Sequence, residues 1–128
     1  MKLTVEKILT VLSAMGHISK VSMPYALARQ TALLHRWLRE ECKTAAEREG
    51  ELVKLYGGEY DPGSGRNKFE SAGSAEAFSL ELKELLSTEI DCPYEKLCLG
   101  GILENLSLPA EALSALDYVA DFESGDSK

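Results

Sequence analysis

The sequence predicts a mainly helical fold of the α+β class, with a short N-terminal helix, one long amphipathic helix, two further helices and at most a small two-stranded β-ribbon. Apolar residues recur at intervals of three and four along most of the chain, which is the period of an amphipathic helix. Residues 88–94 instead alternate polar and apolar side chains, as a strand does. At 128 residues the chain has the length of one domain, so we expect a single domain over residues 1–128.

The first helix is expected at about residues 4–15. Apolar side chains follow the helical spacing there, at Val5, Ile8, Leu9, Leu12 and Met15. Gly16 comes directly afterwards and is suited to end the helix as its C-cap. The first helix is therefore short, and residues 17–23 cross over to the second.

A much longer second helix is expected to begin at Pro24, whose fixed φ suits a first helical turn, and to continue to Tyr56. One side of it is apolar, formed by Leu27, Leu34, Leu38, Ala45, Leu52 and Tyr56, and widened by Leu33, Trp37 and Leu55. The opposite side is basic, formed by Arg29, Arg36, Lys43 and Lys54. Because the rest of the chain is too short to cover so wide an apolar surface, the pattern indicates self-association through this helix.

The basic side of the second helix has two interpretations. Glu40, Glu47 and Glu51 lie three or four residues from its cations, which favours a solvated face neutralised by weak ion pairs. The alternative is a strip that binds a partner. The sequence leaves both open.

A glycine-rich segment, residues 57–73, separates the second helix from the third. It contains the turn signal Asp61-Pro62-Gly63, which predicts a long loop or the tip of a β-hairpin. Ser74 is then predicted to cap a third helix. That helix carries the apolar residues Phe78, Leu82, Leu85 and Leu86 and ends near Ser87 and Thr88.

The strand expected at residues 88–94 is restricted by Pro93 to an edge or an end of a sheet. Residues 68–71 are the segment that we expect to pair with it. A last helix is expected to start at Leu108-Pro109. It carries the apolar residues Ala112, Leu113, Leu116 and Val119. The acidic tail, residues 121–128, is expected to fray.

The net charge of -7 is distributed unevenly along the chain. Residues 1–56 hold nine Lys and Arg against six Asp and Glu, which gives +3, whereas residues 57–128 hold five against fifteen, which gives -10. The total excludes a surface that grips duplex DNA as a whole, because phosphate neutralisation needs a basic footprint. The asymmetry predicts two surfaces of opposite sign, although charges can also segregate by chance.

Catalysis is not expected. A general base at neutral pH is usually a histidine, and the only two, His17 and His35, lie in no pattern with a nucleophile. The three cysteines are expected to be reduced, and Cys92 and Cys98 have no histidine nearby that would complete a zinc site. Residues 63–68 superficially resemble a phosphate-binding loop but lack the Walker spacing. We therefore predict no enzyme, no metal and no cofactor.

Localisation is predicted from two absences in the sequence. No run of about 18 apolar residues is present, as a membrane span would need. The N-terminus lacks the apolar core and small-residue cleavage site of a signal peptide. The sequence therefore predicts a cytoplasmic protein without membrane contact.

The acidic half predicts a binding surface for a basic partner. Spaced carboxylates repeat the electrostatics of a phosphate backbone and can occupy a nucleic-acid groove on another protein. The candidate residues are Asp61, Glu70, Glu76, Glu81, Glu84, Glu89, Asp91 and Glu95. The alternative is an acidic surface that serves solubility alone.

Several segments in fixed order carry a family resemblance. They are Met1-Lys2-Leu3, Met23-Pro24 with Tyr25-Ala26-Leu27-Ala28-Arg29, Leu52-Val53-Lys54-Leu55-Tyr56-Gly57, Leu85-Leu86-Ser87-Thr88-Glu89-Ile90-Asp91 and Leu108-Pro109-Ala110-Glu111-Ala112-Leu113. Over nearly its full length the chain resembles a family of small uncharacterised proteins encoded by phages and prophages of Gram-positive bacteria. The resemblance implies a virus-derived accessory protein that works in the bacterial cytoplasm by stoichiometric binding.

Three hypotheses of function follow. The leading one is an inhibitor of a bacterial antiviral defence system, such as an anti-CRISPR protein, that occludes a basic surface of a defence nuclease. The second is a structural or assembly factor of the virion that acts as an oligomer of the long helix. The third is sequestration of a cyclic-nucleotide immune signal at a subunit interface. The residues named for this third site are Arg29, Arg36, Arg39 or Lys43 beside Trp37 or Tyr56.

Overall fold

The computed structural model describes residues 1–100 and 108–121. The helices in these residues are α1 (Val5–Met15), α2 (Tyr25–Leu55), α3 (Ala72–Leu86) and α4 (Ala110–Leu116). The strands are β1 (Lys2–Thr4), β2 (Glu59–Asp61), β3 (Arg66–Lys68), β4 (Glu89–Asp91), β5 (Leu97–Cys98) and β6 (Ala120–Asp121). The predicted mainly helical fold, with one long helix and little β-structure, is confirmed.

The ends of α1 and α2 lie within a residue of their predicted positions. The Thr4 hydroxyl accepts a hydrogen bond from the Lys7 backbone N–H at 3.2 Å and caps α1, which Gly16 ends as expected. At the end of α2 the Gly58 N–H donates to the Val53 carbonyl at 2.7 Å. This bond turns the chain through Gly57, whose φ of 69° favours glycine. Local signals were therefore sufficient to define both helices.

The third helix begins earlier than expected. Ser71, not Ser74, is its N-cap, because the Ser71 hydroxyl accepts the Ser74 backbone N–H at 3.1 Å. The last helix starts after Pro109, as predicted. The residues 122–128 of the expected frayed tail lie outside the described residues, while Asp121 lies in β6.

In the described residues the small β content is divided among three two-stranded sheets. The strand expected at residues 88–94 is present as β4. The prediction that it pairs with residues 68–71 is wrong. Its partner is β1, with Leu3 opposite Ile90 in an antiparallel register. The parallel pair of β5 and β6 was not predicted. The β1–β4 and β5–β6 pairs both join segments that are distant in the sequence, so no local sequence pattern predicts them.

The glycine-rich segment forms the hairpin that was one of its two predicted alternatives. In it β2 and β3 are antiparallel, with Tyr60 opposite Asn67. Phe69 follows β3, and its ring centroid lies 4.9 Å from that of Phe78 in α3. A Cβ atom on Gly58 would lie 2.5 Å from the Phe69 ring, so glycine allows this close approach. The hairpin is thereby anchored beside α3.

One cluster of buried side chains, which we call the main core, joins α1, the N-terminal half of α2, α4 and the β5–β6 pair. Its largest fully buried members are Ile8, Met15, Ile18, Leu34, Leu38, Leu97, Leu99, Leu116, Val11 and Val119. Each such side chain stabilises the fold by roughly 1.5–3 kcal/mol relative to exposure. Leu52 of α2 and Phe78 of α3 are also buried but lie outside this cluster. The C-terminal half of α2 therefore depends on α3 rather than on the main core.

Candidate functional site

The outer face of α3 carries two exposed carboxylates on either side of an exposed leucine. Glu76, Leu80 and Glu84 are spaced by four residues, so their side chains share one side of the helix. Phe78, which is buried, lies on the opposite side. Leu80 is 65% exposed. We call Glu76, Leu80 and Glu84 the α3 stripe.

Leu80 was not singled out by the sequence analysis. A signal was present, because Leu80 falls out of phase with the apolar positions Phe78, Leu82 and Leu85. A leucine outside the apolar phase of an amphipathic helix is expected on its solvent side. Its exposure follows from the pattern that predicted the helix.

The short strand β4 adds two more exposed carboxylates. Glu89 and Asp91 point away from the protein on either side of the half-buried Ile90, as alternation in a strand requires. Asp91 lies opposite Lys2 in the register with β1, so one cation lies near this part of the surface. Glu70 and Glu95 are exposed before α3 and after β4. Six of the eight predicted acidic residues therefore face solvent.

The other two predicted acidic residues have partners inside the molecule. The Asp61 carboxylate accepts hydrogen bonds from the Ser64 hydroxyl at 2.8 Å and the Gly63 N–H at 3.2 Å, and pairs with Lys68 at 3.2 Å. The Ser64 bond, followed by those of Lys68 and Gly63, lowers the pKa of Asp61. Asp61 therefore stabilises the tip of the β2–β3 hairpin.

Glu81 joins α3 to α2. The Tyr56 hydroxyl donates a hydrogen bond of 2.9 Å to the Glu81 carboxylate. This bond is the main cause of a raised Tyr56 pKa, because it favours the protonated phenol. Glu81 is therefore half-buried and bonded to Tyr56 at the end of α2, whereas the residues of the α3 stripe are exposed.

The predicted basic residues of α2 are exposed. Arg29, Arg36, Arg39 and Lys43 all face solvent. Among the described residues the ion pairs are Arg48–Glu51 at 3.0 Å and Lys68–Asp61. Arg48 is not one of the four cations of the basic side, so in the part of the chain that the structure describes none of those four has the expected ion pair with an interleaved glutamate.

Trp37 and Tyr56, the two alternative aromatic residues named for a nucleotide site, lie in different parts of the molecule. Trp37 is half-buried against the main core. Tyr56 is bonded to Glu81 and lies 19 positions further along α2, which corresponds to about 28 Å along the helix axis. A nucleotide-binding site formed with the cations of α2 would therefore contain either Trp37 or Tyr56, but not both from the same chain.

The histidine and cysteine side chains differ in their surroundings. Burial, followed by the charge of Arg39, lowers the pKa of His35. Burial is the main cause that raises the pKa of the Cys42 and Cys92 thiols, which disfavours the reactive thiolate. His17 faces a groove of about 460 Å³ between α1 and α4 that is also lined by Ser13 and Glu111.

Comparison of the chain with protein-family models, curated proteins and solved structures found no match. In residues 1–100 and 108–121 no helix has the length and apolar character that crossing a membrane requires. The same residues contain no group of three or more His, Cys, Asp or Glu side chains placed to hold a metal ion. The candidate site is thus defined by the surface of the chain itself.

Proposed function

We propose that this protein acts by stoichiometric binding to a protein partner, with the exposed carboxylates of α3 and β4 as its contact surface. The observation that carries the proposal is the α3 stripe. A single exposed leucine is ordinary on a protein surface. Leu80, however, lies between two exposed carboxylates, which is the arrangement of an apolar anchor within a polar rim.

The chemistry of this surface favours a partner with a basic groove. Carboxylates on α3 and β4 present spaced negative charges, which a groove built for a phosphate backbone attracts. The partner proposed here is a nuclease of a bacterial antiviral defence system, such as a CRISPR effector, and the resemblance of the sequence to phage proteins supports this choice. Binding occludes the groove, and no catalytic step is required of this chain.

Paired charge variants test the proposal. Glu76→Ser combined with Glu84→Ser removes both carboxylates of the α3 stripe. Glu40→Ser combined with Glu47→Ser makes the same change of net charge on the exposed surface of α2 and is the matched control. We expect the first variant to need about tenfold more protein for half-inhibition of the target nuclease, and the control to inhibit as the unchanged protein does.

The outcome of this titration separates the alternatives. Unchanged inhibition by the Glu76→Ser, Glu84→Ser variant would rule out the α3 stripe as the contact surface. Equal loss in both would indicate an effect of net charge alone. Circular dichroism of each variant checks that the helices are retained.

A second candidate function, a virion assembly factor that acts as an oligomer, is favoured by the exposed apolar residues of α2. Tyr25 is 79% exposed and Leu55 is 68% exposed, near the two ends of the helix. If this function is correct, we expect oligomers in light scattering and the protein in purified particles. A strictly monomeric protein that is absent from particles would contradict it.

A further inference from the structure

The N-terminal half of α2 carries an exposed stripe that is complementary to the α3 stripe. Tyr25, Arg29, Ala32 and Arg36 follow one another at spacings of four, three and four, so they share one side of the helix. All four are exposed. Residues 25–39 contain three arginines and no carboxylate. We call Tyr25, Arg29, Ala32 and Arg36 the α2 stripe.

A depression of about 150 Å³ lies beside Ala32. The segment that precedes α2 supplies one wall, including Val21 and Met23, while Ala28 and Ala32 supply another. Thr31 is only 5% exposed, and its hydroxyl donates to the Leu27 carbonyl at 2.9 Å. Ser19 and His35 also line the depression. The Thr31 hydroxyl already has a partner, and the apolar side chains of the two walls can pack against an apolar side chain that enters the depression.

The two stripes match in length as well as in charge. Glu76 and Glu84 are about 12 Å apart along their helix axis, with Leu80 midway. Arg29 and Arg36 are about 10 Å apart along theirs, with Ala32 between them. When the stripes face each other, two Glu–Arg pairs flank a leucine placed over an alanine and its adjoining depression. Such pairs at the rim of an apolar contact fix its register.

The stripes of one chain cannot meet each other. Leu34 and Leu38 point from α2 into the main core, so the α2 stripe lies on the far side of that helix. Phe78 is buried on the inner side of α3, so the α3 stripe, roughly opposite it around the helix, lies on the outer side. The two stripes therefore occupy opposite outer sides of the molecule, and only a second copy can bring them together.

We propose that copies of this chain associate head to tail, with the α3 stripe of one copy seated on the α2 stripe of the next and Leu80 in the depression beside Ala32. Because the two stripes lie on opposite outer sides of the molecule, one partner cannot cover both, and the association extends into a ring or an open chain rather than a two-fold dimer. This inference goes beyond the proposed function. Since both use the α3 stripe, self-association and partner binding exclude each other at that surface.

Sedimentation of the full chain at low and high salt is the first test. We expect association that weakens by about tenfold when salt is raised to about 0.5 M, because the pairs at the rim are screened. Leu80→Ser is expected to weaken association by about tenfold. Leu55→Ser replaces a leucine of similar exposure outside both stripes and is the matched control. A protein that is monomeric at low salt, or one weakened equally by both substitutions, overturns the proposal.

Charge exchange is the second and sharper test. In one variant Arg29→Glu and Arg36→Glu make both stripes acidic, and in the other Glu76→Arg and Glu84→Arg make both basic. Each variant alone is expected to be monomeric, and an equal mixture is expected to associate again. Lys83, the only cation of α3, lies beside Leu80, and Lys83→Glu is expected to tighten association. Retained association of the Glu76→Arg, Glu84→Arg variant on its own overturns the proposal.

The same variants distinguish this inference from the proposed function. The Arg29→Glu, Arg36→Glu variant keeps an intact α3 stripe, so it is expected to be monomeric and still to inhibit the target nuclease. Retained inhibition with intact self-association, in a variant changed only on β4, would count against β4 as part of the partner contact and not against the head-to-tail contact. Association that survives both charge-reversed variants rejects the head-to-tail contact whatever the nuclease assay shows.

Discussion

The two halves of α2 belong to the same helix but have different surroundings. In the N-terminal half, Leu34 and Leu38 are fully buried in the main core, and the outer side carries unopposed arginines. In the C-terminal half, Leu52 is buried outside that core, Leu55 is exposed, and the neighbouring helix is the acidic α3. The 31-residue helix is about 46 Å long, which is more than one small core can cover.

This difference connects stability with function. The N-terminal half is fixed by contacts with α1 and β5 and by Leu34 and Leu38 in the main core, so it is a rigid support for a positively charged surface. The C-terminal half is held by α3 through fewer buried side chains, and α3 carries three glutamates against one lysine. The N-terminal half of the long helix thus presents a basic surface, while its C-terminal half lies beside an acidic helix.

The largest expected effect is a loss of stability from the main core. Leu38→Ala removes a fully buried side chain that contributes to this core and should lower the free energy of unfolding by about 3–4 kcal/mol. Leu55→Ala makes the same chemical change at an exposed position of the same helix and should change it by less than about 0.5 kcal/mol. Urea denaturation measures both. Similar losses of unfolding free energy in Leu38→Ala and Leu55→Ala would contradict the claim that the main core holds only the N-terminal half of α2.

A smaller and more local effect is expected at α3. Phe78→Leu removes the aromatic pair with Phe69 and leaves a partly empty site, which should lower the free energy of unfolding by about 1–2 kcal/mol. Because Phe78 lies outside the main core, hydrogen exchange should quicken in α3 and leave α1 unchanged. Equal acceleration in both helices would show that the two regions unfold as one.

The cap of α3 offers a third prediction. Ser71→Ala removes the hydroxyl that accepts the Ser74 N–H and should lower the free energy of unfolding by about 1 kcal/mol. Ser74→Ala is the matched control, since the Ser74 hydroxyl accepts a hydrogen bond of 3.1 Å from the Ser71 hydroxyl but caps no backbone N–H. A greater loss from Ser74→Ala in thermal unfolding would contradict the assigned start of the helix.

The smallest expected effect concerns the bond between the C-terminal end of α2 and α3 at high pH. The Tyr56 pKa is raised in the folded protein by its hydrogen bond to Glu81, so the bond stabilises the fold fully below the ordinary tyrosine pKa of about 10. That stabilisation is lost as pH rises through the folded-state pKa. Stability of the unchanged protein should therefore fall more steeply above about pH 10 than that of Tyr56→Phe. Parallel pH profiles of the thermal midpoint would contradict this role.

The predictable parts of the fold are those that depend on local signals. Long periodic patterns defined α1 and α2, and the turn residues of the glycine-rich segment allowed the hairpin. The start of α3 was misplaced because Ser71 and Ser74 are both acceptable caps, and only the observed hydrogen bond decides between them. The partner of β4 was missed because three-residue strands form only where distant segments meet.

The candidate site was predictable to a similar degree. Charge counting located the acidic half, and most of its selected carboxylates are exposed. Charge counting could not show that Asp61 pairs with Lys68 or that Glu81 accepts a hydrogen bond from Tyr56, because those contacts depend on tertiary structure. The depression beside Ala32 likewise depends on where the segment before α2 folds back.

The central claim, that the outer face of α3 contacts a protein partner, is tested most directly by carbodiimide labelling of carboxylates with and without the target nuclease. The claim predicts that labelling of Glu76 and Glu84 falls in the complex while that of Glu40 and Glu47 on α2 is unchanged. Unchanged labelling of Glu76 and Glu84 in an inhibited complex would contradict it.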